Sequence, residues 1–172
     1  MGWGVFQVGK SRPVTTAIRV EIKEISAEQT WPLRSEVLRP GMPLSACIFP
    51  GDDAPDTHHF GMVDSNGDIV GIVSALRNSH PSAPGSAPYQ IRAMAISSHY
   101  RGQGVGRLLL AGVENYLRSR GSTVVWANAR SSAVGFYQQQ GYQVVADEFV
   151  IEGVGPHYLV TKLLVTESLN NV

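Results

Sequence analysis

The stretch Tyr100-Arg101-Gly102-Gln103-Gly104-Val105-Gly106-Arg107 decides how this chain is read. It follows a run with strand character (90–96) and opens a run with helical character (105–120). Three glycines within five residues leave backbone N–H groups unshielded and let another molecule approach closely. The first N–H groups of a helix lack partners, and the helix dipole is positive there. A glycine-rich loop at that point suits a phosphate. Arg101 and Arg107 flank it with positive charge. The stretch reads as an anion cradle, sized for a pyrophosphate.

Competing phosphate loops fit less well. A dinucleotide fingerprint needs a third glycine where Arg107 stands, and no Gly-x-x-x-x-Gly-Lys-Ser/Thr run occurs anywhere in the chain. The pattern that fits is Arg/Gln-x-x-Gly-x-Gly/Ala, met by Arg101, Gly104 and Gly106. The helix that follows has the clearest period in the sequence: Val105, Leu108, Leu109, Val113, Tyr116 and Leu117 recur at three- and four-residue steps, and Gly121 stands where a C-terminal glycine belongs. Before the loop, Gln90 to Ile96 reads as a strand buried on both faces, with Ile91, Ala93 and Ala95 on one and Met94 and Ile96 on the other.

Further upstream, residues 18–25 alternate apolar and polar as a half-buried strand does. Ser26 with Gln29 forms a capping-box signature, with Thr30 before Pro32 as a second start, for a helix over roughly 27–38. Its Arg34, Glu36 and Arg39 read either as a solvated face or as a grip on a charged partner. Residues 41–57 form a long proline-rich loop. Strands at 58–63 and 68–77 flank the hairpin signal Asp64-Ser65-Asn66-Gly67. Downstream come a strand over 123–127, a short helix capped by Ser131 or Ser132, and strands over 143–151 and 157–165. The expected fold is α/β (α+β): a mixed, mostly antiparallel sheet of about six to seven strands with helices on both faces. One domain spans 17–166, between an N-terminal tail (1–16) and a C-terminal tail (167–172).

Composition narrows the function. With 43% apolar and 16% charged residues, the 172-residue chain is globular. Its 14 basic and 14 acidic side chains cancel, so no global field draws it to nucleic acid or to an anionic membrane. Apolar runs fall far short of a membrane span, the first twenty or so residues lack a secretory pattern, and the lone Cys47 fits a reducing, cytoplasmic setting. Asp56-Thr57-His58-His59 could suggest metal ligands. Adjacent histidines in a strand point to opposite faces, and no further ligand cluster completes a site, so no metal is expected.

A second motif lies downstream of the loop. In Asn128-Ala129-Arg130-Ser131-Ser132-Ala133-Val134-Gly135-Phe136-Tyr137-Gln138-Gln139-Gln140-Gly141-Tyr142, the residues Ala133, Phe136, Tyr137, Gly141 and Tyr142 follow a strand that ends in a polar residue. Together with Arg101, Gly104 and Gly106, this order resembles the GNAT family of N-acetyltransferases. The resemblance extends over roughly residues 18–164, with its specific motifs in 90–142. It implies acetyl-coenzyme A as cosubstrate, held by Met94, Ala95, Ile96, Arg101, Gly102, Gln103, Gly104, Val105, Gly106, Arg107, Asn128, Ser132 and Tyr137. It also implies Tyr137 as the general acid for the departing thiolate. A phenol near its ordinary pKa of about 10 is protonated at neutral pH and can donate.

Parting of two neighbouring strands near Met94–Ile96 and Asn128 would leave a crevice for the pantetheine arm and a free N–H to polarise the thioester. The base stays open between Glu36 on the first helix, Glu152 or His157 near the last hairpin, and water alone. Tyr137 also reads as an aromatic core residue. The acceptor is a small-molecule or protein amine, and the resemblance allows a homodimer. A rival reading is a non-catalytic acyl-coenzyme A sensor on the same fold.

Overall fold

The computed structural model describes residues 17–165, so both expected tails lie outside the described residues. Strands β1 (Val20–Ile25), β2 (Thr57–Asp64), β3 (Ile69–Arg77), β4 (Tyr89–Ile96), β5 (Val124–Arg130), β6 (Gln143–Val144), β7 (Phe149–Ile151) and β8 (Gly155–Leu163) form one sheet. Its order is β1-β2-β3-β4-β5-β8-β6, with β7 also paired to β8. Every neighbouring pair is antiparallel except β4 and β5. The sheet has eight strands because the single strand expected over 143–151 is interrupted at Val145–Glu148. Ala146, Asp147 and Glu148 are poor strand formers, and the Glu148 carboxylate instead accepts a hydrogen bond from Ser131 at 2.8 Å.

Helix α2 (Val105–Ser119) lies on one face. Val105, Leu109, Leu110, Val113 and Leu117 are buried against Phe60, Val73, Ile91 and Val125. Leu108, expected inside, is exposed, and Leu110 takes its place. At 3.6 residues per turn Leu108 lies roughly 140° round the helix from the centre of that stripe. Gly121, at φ 80°, ends the helix as expected. Helix α3 (Val134–Gln139) carries no side-chain cap, so neither Ser131 nor Ser132 serves as one.

Helix α1 (Ala27–Leu33) packs on the other face and begins with the expected Ser26–Gln29 capping box. Thr30 does not start it, and Pro32 lies inside its last turn. Proline has no N–H to continue the ladder. Beyond it the chain widens into a π-helical turn over Arg34–Leu38, closed by the Arg39 N–H on the Arg34 carbonyl at 2.9 Å. The helix expected over 27–38 is therefore two segments.

That turn carries the largest departure from expectation. Arg34 is fully buried and forms no part of a solvated face. Its guanidinium meets both oxygens of Asp52 and also donates to the Cys47 carbonyl at 2.8 Å and to Ser74 Oγ at 3.0 Å. The Ser74 hydroxyl donates to His59 Nδ1 (2.7 Å), and His59 Nε2 donates to the Asp52 carbonyl (2.9 Å). Asp52 also accepts from the Phe49 N–H (2.9 Å) and from Arg92 (3.0 Å). Burial pushes the Asp52 carboxyl up, but the hydrogen bonds from Arg34, Phe49 and Arg92 and the Arg34 charge outweigh it and hold it below its ordinary value.

Two outcomes follow for stability. Arg34→Met removes the main partner of a buried carboxylate and is expected to lower the unfolding free energy by about 3 kcal/mol, read by urea titration. Ionised Asp52 stabilises the fold fully above the aspartate range near pH ~4, and that contribution is lost as pH falls through its depressed folded value. The stability difference between the wild type and Asp52→Asn should therefore close on acidification below about pH 4.

Candidate active site

Strands β4 and β5 run parallel but pair only at Tyr89–Val125 and Gln90–Trp126. Beyond Gln90 they part. On the other edge of β4 the register with β3 jumps: Ile72 faces Ala95, yet Ser74 faces Arg92. Ala93 and Met94 thus stand against Val73 alone, which is a β-bulge, and Ala93 adopts φ 54°. A non-glycine residue in that region is strained by roughly 1 kcal/mol or more. The extra residue also reverses which way the side chains point. Ile91 packs with α2, whereas Ala95 packs with Leu33 and Ile72 on the α1 face. Ile91 and Ala95, expected on one face, are on opposite ones.

The gap opens into a cleft of about 910 Å³. One wall is β4 from Arg92 to Ile96, the other is β5 from Asn128 to Arg130. Val37–Arg39, Phe49–Pro50 and His157 complete its rim. A second cavity of about 350 Å³ adjoins it, sharing Ile96 and Arg101, and lies over the start of α2. There Gly102 and Gly104 adopt φ 72° and 82°, a conformation other residues reach only with strain. No side chain caps α2, whose first backbone bond runs from the Leu108 N–H to the Gly104 carbonyl (3.1 Å). The donors of its first turn therefore face the cavity without a side-chain acceptor, which suits a phosphate.

The candidate residues divide between these spaces. Met94, Ala95, Ile96, Arg101, Asn128, Ser132, Tyr137 and His157 line the larger cleft. Arg101, Gly102, Gly104, Val105, Gly106 and Arg107 line the smaller one. Arg101 is steered by its Nε donating to the Ile96 carbonyl (3.1 Å). Gln103 lines neither, because its amide folds back onto the His99 carbonyl (2.7 Å). Glu36 is exposed on the π-helical turn and Glu152 in the turn before β8; neither lines the cleft.

Tyr137 is buried on α3, edge-on to Phe136 and Tyr142. Burial pushes its phenol up to about 12. His157 is not a solvated edge residue. It is buried on β8, opposite Arg130 on β5 and Phe149 on β7. Its Nδ1 lies 2.7 Å from the Gly155 carbonyl. A carbonyl can only accept, so Nδ1 carries the proton and the Nε2 of the neutral ring keeps its lone pair.

His58 and His59 occupy opposite faces as expected, His58 between Glu24 (2.9 Å) and Tyr116 (3.1 Å), His59 in the Asp52 network. Sequence reasoning passed over Phe49, Arg92 and Arg130 on the cleft. The legible signals were an arginine inside an otherwise apolar strand and a lone aromatic in a proline-rich loop.

With this geometry in hand, known proteins provide the context. A family model described as an acetyltransferase (GNAT) domain matches residues 52–158. An uncharacterized N-acetyltransferase of Bacillus subtilis, YitI, is 33% identical over 147 residues, covering 86% of this chain and 98% of the relative. N-acetyltransferase family 8 member 2 of Rattus norvegicus is 35% identical over 94 residues, which cover 53% of this chain and 41% of the relative. The fold is shared with Ard1 from Thermoplasma volcanium (TM-score 0.68, 15% identity, 86% and 99% of the two chains). It is shared too with an aminoglycoside 6'-N-acetyltransferase complexed with coenzyme A (TM-score 0.67, 14% identity, 86% and 99%). Among the described residues no helix is long and apolar enough to cross a membrane. The chain belongs to the GNAT family of acetyltransferases and is an acyltransferase.

Proposed function

We propose that the protein transfers an acetyl group from acetyl-coenzyme A to a primary amine that attacks the thioester directly. The observation carrying this reading is the pair of adjoining cavities that leads from the parted β4 and β5 strands to the uncapped start of α2. The backbone of Gly102–Arg107, with the Arg101 and Arg107 charges, would hold the pyrophosphate. Met94, Ala95 and Ile96, freed from pairing with β5, would bond the pantetheine amides, with Asn128 and Ser132 on the facing side. When bound, acetyl-coenzyme A supplies an activated acyl carbon and a thiolate leaving group.

The rest is chemistry of this chain's own backbone and side chains. A backbone N–H freed at the bulge can donate to the thioester oxygen as negative charge gathers there. As the amide C–N bond forms and the C–S bond breaks, the Tyr137 phenol gives its proton to the departing sulfur. His157 Nε2, or water, takes the proton that the attacking nitrogen must lose. Glu36, outside the cleft, is not given this role. A small-molecule or protein amine serves as acceptor. The second reading, an acyl-coenzyme A sensor without turnover, shares the cradle but has no use for a buried, protonated phenol beside the cleft.

Calorimetric titration with acetyl-coenzyme A tests the cradle. Arg101→Ala and Arg107→Ala are each expected to weaken binding by about tenfold, since each removes a charged contact worth about 1.5 kcal/mol. Absence of heat with acetyl-, succinyl- or free coenzyme A would refute the reading. Tyr137→Phe is expected to lower kcat by about a hundredfold with little change in the Kd for acetyl-coenzyme A; unchanged thiol release would remove its role as proton donor. Because burial holds the phenol protonated up to about pH 12, kcat should show no alkaline loss from Tyr137 below about pH 10.

A further inference from the structure

The larger cleft is chemically one-sided. Arg39, Arg92, Arg101, Arg130 and His157 line it, and no aspartate or glutamate among the described residues does. Cations concentrate at one end, where the guanidinium carbons of Arg34, Arg39 and Arg92 lie 4.3, 5.2 and 5.8 Å from the centre of the Phe49 ring. Asp52 alone answers two of these, Arg34 and Arg92. Arg39 has no carboxylate partner among the described residues; its Nη1 donates to the Leu38 carbonyl at 2.9 Å. Arg92 commits only Nη2, to the Pro50 carbonyl (2.6 Å) and to Asp52 (3.0 Å). Its Nε is out of water with no partner.

Like charges gathered in a recess partly shielded from water repel, and an entering anion relieves them. The planar fork of arginine matches a carboxylate with two parallel hydrogen bonds. Phe49 adds a flat apolar face between the cations, against which an organic acid can lie. Arg92 immediately precedes the bulge at Ala93–Met94. Arg92, Ala93 and Met94 all line the cleft, so a carboxylate held at Arg92 shares that recess with the bulge. We propose that the acceptor is an amine carrying a carboxylate close by, as in an α-amino acid, and that Arg39 and Arg92 hold the carboxylate beside Phe49. The same field repels polyamines and other polycationic acceptors.

This inference rests on the acetyl-transfer reading, and the test separates the two. Thiol release is measured at saturating acetyl-coenzyme A with a panel of amino acids, the methyl ester of each, and spermidine. At least one free acid should exceed its ester in kcat/KM by tenfold or more. This preference is expected even though the ester's amine is the more readily deprotonated, and spermidine should give no turnover. Arg39→Gln and Arg92→Lys should each cut the acid-to-ester ratio by about tenfold, chiefly through KM, and retained acetyl-coenzyme A binding would show that each variant is folded. Esters or spermidine used as well as the acids would overturn the inference and leave acetyl transfer standing. If no amine on the panel is acetylated, calorimetry of N-acetylphenylalanine against its methyl ester, on protein saturated with coenzyme A, decides: preference for the acid upholds the inference, and equal or absent binding overturns it. A protein that binds no form of coenzyme A would lose both readings.

Discussion

A single buried carboxylate ties together segments that are far apart in the chain. Asp52 collects hydrogen bonds from Arg34 on the π-helical turn, Arg92 on β4 and the Phe49 N–H in the proline-rich loop. Its own carbonyl is held by His59, which leans on Ser74, which in turn accepts from Arg34. Removing charges from water is costly, and an ion pair of this kind adds little net stability over an apolar substitute. What it supplies here is position. Apolar contacts anchor the loop at 41–57 over the end of the cleft only sparsely, since Met42, Leu44 and Ile48 are exposed and Cys47 is its one buried apolar side chain. The network therefore sets where Phe49 and the arginines around it face.

The second constraint lies in the sheet. A β4 strand that continued its ladder with β5 would close the sheet and leave no opening. Three things occur together instead: pairing that stops at Gln90, a bulge that places two residues against Val73, and an alanine in the left-handed region. The strain is small beside what it opens, a row of backbone donors and acceptors in a recess that leads to the start of α2. Packing of α2 holds this arrangement, since Leu109, Val113 and Leu117 grip the sheet on the face that Met94 and Ile96 join.

Fold and specificity are separable in this molecule. The overall fold is shared with proteins at 14–15% identity, where side chains have diverged almost completely. A shared scaffold of that kind does not choose an acceptor. The rim that would face an acceptor carries Arg39 and Arg92, of which Arg92 is bound to Asp52. Tyr137 and His157, by contrast, come from α3 and β8, elements packed into the sheet, and both are buried.

Local pattern alone was enough for most of the scaffold. The strand alternation in 18–25, the Asp64–Gly67 hairpin, the stripe and terminal glycine of α2 and the loop from Arg101 to Arg107 are all written in neighbouring residues, because periods of two and of 3.6 and left-handed glycines are properties of short segments. The residues Tyr100–Tyr142 thus determined by themselves that this is an acetyltransferase-like chain. Arg34 read as a surface charge because its partners stand 13, 18 and 40 residues away. The bulge at Ala93 was invisible because its cause is the register against β3 and the departure of β5, neither of which leaves a mark on Ile91-Arg92-Ala93-Met94. Glu36 and His157 looked equivalent as candidate bases, and only the sheet decided where each lies, His157 buried opposite Arg130 on the cleft and Glu36 exposed on an outer turn. Short-range propensity sets the elements; long-range pairing of charge and strand sets the site.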